Sequence, residues 1–186
     1  MPYPSKISRE TIVQAAREMI QAEGLERLSI NVLAEKLGVK TPSLYRYVGD
    51  KTGLLRAVNE DTIAGLFAVL GEALSSPGPA EERLLAVALA YRQYAHQHPI
   101  TYGLAFTNTI PELRPDAAEQ ERAALPYQAL MAEVSGEADS LAALRGMLAL
   151  IHGFAMLELA QQYRRGGDLD AAFVQSVQAY IAGWKR

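Results

Sequence analysis

The chain has 186 residues, 49% apolar content, a formal net charge of −3 and no cysteine. That is enough for a full hydrophobic core, and it excludes disulfides, thiol redox chemistry and Cys-ligated zinc. The charge is uneven: residues 1–56 carry nine Lys/Arg against six Asp/Glu, a +3 end ahead of a −6 remainder, which suits a nucleic-acid-binding end joined to an acidic body.

No stretch has the two-residue alternation of a strand, alanine and leucine dominate, and mean hydropathy is −0.02, so the expected class is all-α with about nine helices. Residues 1–7 read as an extended arm holding Pro2 and Pro4, with Lys6 placed for phosphate. No apolar run follows Met1-Pro-Tyr-Pro-Ser-Lys, so no secretory leader is expected. Helix one is predicted over residues 8–23, with Ile12, Ala15, Ala16, Met19 and Ile20 on one face and Gly24 ending it. Ser29 is a capping residue for helix two, whose apolar face is Ile30, Leu33, Ala34 and Leu37. Gly38 suits the left-handed turn after it. Thr41 is expected to cap helix three and Pro42 to occupy its first position. Leu44 and Val48 point inward, leaving Thr41, Ser43, Tyr45, Arg46 and Tyr47 for the other faces. A tight helix–turn–helix exposing hydroxyls, an Arg and two Tyr is built to enter a DNA major groove.

Asp50 caps a long helix four, predicted to residue 74, which Ser75-Ser76-Pro77-Gly78-Pro79 breaks. Such a rod suits converting a shift in a body into a change in the spacing of two heads. Helix five follows over residues 80–97 and a short helix over 99–108, with residues 110–115 as a loop. Helix seven spans about 116–134, broken or kinked at Pro126. Helix eight, about 139–164, is apolar nearly all round, and helix nine holds Phe173, Val177, Tyr180, Ile181 and Trp184 at helical spacing. Their apolar faces predict a homodimer that pairs helices eight and nine as a four-helix bundle. The longest apolar run, residues 141–160, is interrupted by Arg145, His152 and Glu158, and only twelve residues lie between Arg145 and Glu158, short of the ~20 a membrane helix needs. A soluble, cytoplasmic protein is expected.

The run GLERLSINVLAEKLGVKTPSLYRYVGDKTGLL, residues 24–55, resembles the N-terminal domain of the TetR/AcrR family of bacterial transcription regulators. The likeness lies in Gly-Leu before the capping Ser, the L-A-x-x-L-G-V turn, the small-residue start of helix three, L-Y-x-[HY]-[FV], and x-x-K-x-x-L-L opening helix four. Val48 and Tyr47 stand where many members have Phe and His. The resemblance implies that Asn31, Thr41, Pro42 and Ser43 read bases and that Tyr45, Tyr47 and Lys51 hold phosphates, with Ser29, Lys40 and Arg46 completing the DNA-binding set. The chemistry agrees: Asn pairs with adenine, the Thr methyl and Pro touch a thymine methyl, and Tyr and Lys suit phosphate oxygens. Core filling is the competing reading for Tyr45 and Tyr47, and solvation for Arg46.

The runs YRQYAHQHPITYGLAFTN and LALIHGFAMLELAQQY resemble the C-terminal domain of a TetR subfamily marked by Trp-His-Gly, here Ile151-His152-Gly153. The expected domains are therefore 1–52, a three-helix helix–turn–helix, and 53–186, a helical effector-binding and dimerisation domain. No phosphate-cradling loop, HExxH or GxSxG is present, so no catalytic residue, metal site or cofactor is assigned. The pool for a small-molecule effector pocket is Tyr91, Tyr94, Tyr102, Phe106, Tyr127, Met131, Met147, His152, Phe154 and Met156, against plain core packing for each. The function expected is a one-component repressor that binds a palindromic double-stranded operator as a dimer and is released by a small molecule. The alternatives are an activator of the same architecture and a helical small-molecule-binding protein without DNA function.

Overall fold

The computed structural model describes residues 7–114 and 116–185, so the arm residues Pro2, Pro4 and Lys6 lie outside the described residues. Among these, nine α-helices and no strand are found, as the periodicity predicts. The chain divides into two compact units: Met1–Ala64 with His98–Asp116, and Gly65–Gln97 with Ala117–Arg186.

The first unit starts with α1 (Arg9–Glu23), capped by Ser8, whose Oγ accepts the Thr11 N–H at 3.2 Å. Its expected face is buried, with Val13 added. A 3₁₀ turn, Leu25–Arg27, leads to α2 (Ile30–Lys36). Ser29 caps α2, its Oγ accepting from Val32 at 3.2 Å. Leu28 before the cap and Leu33 in the second turn enter the same core, the arrangement that sets the entry angle of a helix. Gly38 sits at φ +65°, a conformation that disfavours any Cβ, and lets the chain turn into α3 (Thr41–Val48).

Thr41 does not cap α3 as expected. It is the first helical residue, Lys40 holds the cap position without a side-chain bond, and the Thr41 hydroxyl turns to α2 instead. Pro42 moves to the second position, still within the first turn, where an N–H has no helical partner. Asp50 accepts the Gly53 N–H at 2.7 Å and so caps α4 (Lys51–Leu74). A Cβ at Gly53 would collide with the Val48 carbonyl, so the start of α4 demands glycine. α6 (Pro99–Thr107) belongs to this unit and packs on α1. The expected loop 110–115 contains a 3₁₀ turn, Pro111–Leu113, that buries Leu113 in the core beside α1–α4. The Asn59 amide of α4 donates to the Leu113 carbonyl at 2.9 Å.

The second unit packs α5 (Ala80–Gln97), α7 (Ala117–Ser135), α8 (Ser140–Leu159) and α9 (Leu169–Trp184) against one another. α7 runs on through Pro126 as one helix. α8 ends five residues earlier than expected. Gln161 takes the left-handed conformation at φ 53°, and the Gln162 N–H bonds back to the Leu157 carbonyl at 2.8 Å, a pattern that closes a helix. By length and composition alone, Glu137–Leu159 is apolar enough to cross a membrane despite Arg145. One side of α8 packs on α5, α7 and α9 through Ala143, Met147, Ile151, Phe154 and Ala155. Another side leaves Leu141, Leu148 and Leu157 42–50% exposed.

An ion cluster ties three helices of this unit. The Arg92 guanidinium of α5 forks onto Glu158 of α8 at 2.7 and 2.5 Å and reaches Asp170 of α9 at 2.7 Å. It lies over the rings of Phe154 and Phe173, 5.8 and 5.0 Å from their centroids. His96, in the last turn of α5, bonds the same carboxylate at 3.0 Å. Burial pushes the Glu158 carboxyl up, but the hydrogen bonds from Arg92 and His96 outweigh it and hold the group below its ordinary 4.5.

Leu44, 0% exposed, is the inward anchor of α3, and Leu44→Ala should lower stability by about 3 kcal/mol in urea denaturation. Glu158 titrates lower folded than unfolded, so its contribution is present above its unfolded value and is lost as pH falls through the folded one. Arg92→Met should therefore cost about 3 kcal/mol at pH 7. That cost should shrink as pH falls below 4.5 and Glu158 takes up its proton, as paired urea melts at pH 7 and in acid would read.

Candidate functional site

The apolar core of the first unit holds α3 by Leu44 and Val48 and leaves its opposite faces in solvent. Tyr45 is 45% and Tyr47 38% exposed, so neither fills the core. Arg46, Pro42 and Lys40 are exposed, and Thr41 and Ser43 are half-buried along the same short helix start. Asn31, in the first turn of α2, is exposed and stands next to this row. Its Oδ1 accepts the Thr41 hydroxyl proton at 3.0 Å. Lys51 is exposed as the first residue of α4, and Ser29 is half-buried, its hydroxyl occupied by the cap of α2. Asn31 and residues 40–47 thus lie along α2 and α3, with Lys51 beyond the end of α3. Together they offer amide and hydroxyl groups, a proline, two phenols and three cations. That mixture suits base edges at one end and phosphate oxygens around it. The Asn31–Thr41 bond has no local sequence signature, since any Asn and Thr ten residues apart read the same way.

The nominated effector residues fall in both units. Tyr102, fully buried, and half-buried Phe106 lie on α6 in the first unit, their rings 4.7 Å apart. Tyr91, Tyr94, Tyr127, Met131, Met147 and Phe154 are buried in the second unit, with His152 and Met156 half-buried there. His152 Nδ1 stands 3.4 Å from the Tyr91 hydroxyl, and burial holds its imidazole below the usual range, favouring the neutral ring at neutral pH. An open depression of about 610 Å³ lies where α8 passes into α9, bordered by Phe154, Tyr163, Arg164, Arg165, Leu169 and Ala172. Of the nominated residues, Phe154 alone lines it. Its two arginines carry no signal in the sequence, where the expected end of α8 falls five residues later, at Arg164, and makes that residue part of a helix.

The comparisons agree with this arrangement. Residues 12–58 match the family described as bacterial regulatory proteins, tetR family, and residues 84–180 match the tetracyclin repressor-like C-terminal domain. An uncharacterised HTH-type transcriptional regulator of Mycobacterium tuberculosis is 37% identical over 190 residues, covering 98% of this chain and 84% of that one. A Rhodococcus protein of unknown function superposes with a TM-score of 0.80 at 23% identity, covering both chains fully. A TetR variant from Acinetobacter baumannii, solved in complex with minocycline, gives 0.70 at 24% identity over 96% of each chain. At those identities the two structures speak for the fold. The two family matches and the mycobacterial relative speak for more: this chain belongs to the TetR family of helix–turn–helix, DNA-binding transcriptional regulators.

Proposed function

We propose that the chain is a one-component repressor that binds a palindromic operator as a homodimer and leaves it when a small molecule binds the helical body. The observation that carries this is the solvent-facing row of Asn31, Thr41, Pro42, Ser43, Tyr45, Arg46 and Tyr47, with Lys51 beyond it, held over the buried Leu44 and Val48. Residues 1–52 are the DNA-binding head and 53–186 the effector and dimerisation body. Asn31, Thr41, Pro42 and Ser43 read bases. Tyr45, Tyr47 and Lys51, helped by Lys40 and Arg46, hold phosphates and set register. Repression rather than activation is supported by the tetracyclin repressor-like match over residues 84–180.

Two copies pair through α8 and α9, and the exposed Leu141, Leu148 and Leu157 support that face as the contact. Each head then enters the major groove of one half-site, with the two half-sites on one face of the duplex. The effector is a neutral or apolar molecule held by aromatics and methionines of the body, buried Tyr91, Tyr94, Tyr127, Met131 and Phe154 and half-buried Met156 among them. It releases the operator by binding better to a state whose heads are wrongly spaced. Chain continuity favours such linkage. The chain leaves the second unit at Gln97, contributes His98–Asp116 to the unit of the head, and returns at Ala117. The working location is the cytoplasm, where the operator is.

Selection of fragments from the source genome by the purified protein tests the reading. An enriched palindrome is expected, with affinity falling steeply in salt at a slope of about −0.9 per phosphate neutralised. Weak binding to all DNA without enrichment would sink it. Asn31→Ala and Ser43→Ala should each flatten the preference at one base step and leave non-specific binding intact. Leu148→Glu should convert a dimer into a monomer in sedimentation velocity and weaken operator binding.

A further inference from the structure

The Asn31–Thr41 bond specifies more than the presence of two polar side chains. It crosses the turn, joining the first turn of α2 to the first residue of α3. Thr41 is the donor, so its only hydroxyl proton is committed to Asn31 Oδ1. Asn31 Nδ2 makes no hydrogen bond among the described residues, and Asn31 is exposed. An Asn held by its oxygen presents its two N–H groups, has one of the two lone pairs of its acceptor engaged, and has its amide direction fixed. A free Asn pairs with adenine by accepting from N6 and donating to N7. With Oδ1 engaged, donation is the stronger half of that pairing. Bases that offer major-groove acceptors without an amine, guanine through O6 and N7 or thymine through O4, then fit best.

We propose that Thr41 is a positioning residue that fixes the polarity of the Asn31 amide, so that Asn31 reads a guanine or thymine acceptor rather than an adenine edge. This rests on the reading of α2 and α3 as the operator-contacting elements. The Thr41 hydroxyl acts through Asn31 and does not donate to phosphate, which leaves the Thr41 methyl for its own base contact.

The test compares wild type, Thr41→Val, Thr41→Ser and Asn31→Ala by binding to a library randomised at each operator position. The position read by Asn31 is the one whose preference Asn31→Ala removes. In the wild type it should favour guanine or thymine by about tenfold, the size of one good base contact. Thr41→Val keeps the shape and removes the bond. It should reduce that preference to about threefold or less and raise the share of adenine, because the amide can then turn to place Oδ1 on N6 and Nδ2 on N7. Thr41→Ser should restore the wild-type preference.

Adenine as the wild-type choice at that position would overturn the proposal. So would an unchanged preference in Thr41→Val, or an equal loss of affinity for every sequence, the mark of a lost phosphate donor. If wild type enriches no site, this inference falls together with the operator reading. If it enriches a palindrome whose Asn31 position ignores Thr41, this inference falls alone. Because Thr41 is half-buried and does not cap α3, the valine variant is expected to fold, and Thr41→Ser carries the comparison by a second route.

Discussion

An eight-residue helix cannot hold itself in water, and α3 is eight residues long. Its existence depends on the burial of Leu44 and Val48 against the core built by α1, α2 and the start of α4. Ile12, Met19, Ile20, Leu28, Leu33 and Leu54 in that core are each no more than 1% exposed. Every group on the outer side of α3 is placed by that inner contact. The phenols and cations, Tyr45, Arg46 and Tyr47 among them, are free to face a partner because they are exposed. Leu113, which is buried in the same core from far along the chain, and Asn59, which holds its carbonyl, make residues 98–116 part of what keeps the head in shape.

The second unit solves a different problem. Four helices bury a mostly apolar interior, yet α5, α8 and α9 also meet at a nearly buried guanidinium. Arg92 is 13% exposed and Glu158 5%. A pair so placed gains little over an apolar one but is costly to break, because either partner left alone is a buried charge. The fork onto Glu158, the reach to Asp170 and the two phenylalanine rings accept Arg92 in one geometry only. The cluster therefore specifies how the three helices meet more than it adds to their stability.

Legibility from sequence follows range. Ser8, Ser29, Asp50 and Asp168 all bond backbone N–H groups three residues on, a relation visible in any local window. Thr41 reads as a fifth such cap, and the tertiary partner Asn31 takes its proton instead. The expected end of α8 falls too late because Gln161 adopts a left-handed conformation that composition reserves for glycine. The aromatic pool reads as one lining, but Tyr102 and Phe106 fall in the unit of the head, a division no periodicity announces.

The order and approximate bounds of the nine helices, the inward faces of α1, α2 and α3, and the likeness of residues 24–55 to a TetR head were set by the sequence, because caps and 3.6-residue spacing act within a turn or two. Only the tertiary structure decided which partner each polar group takes. Thr41 and Asn31 are 10 residues apart, Asn59 and Leu113 are 54, and Arg92 and Glu158 are 66. Those bonds form when packing brings the groups within hydrogen-bonding distance. The choice among candidate partners is then made by the geometry of the packed helices, which no local pattern encodes.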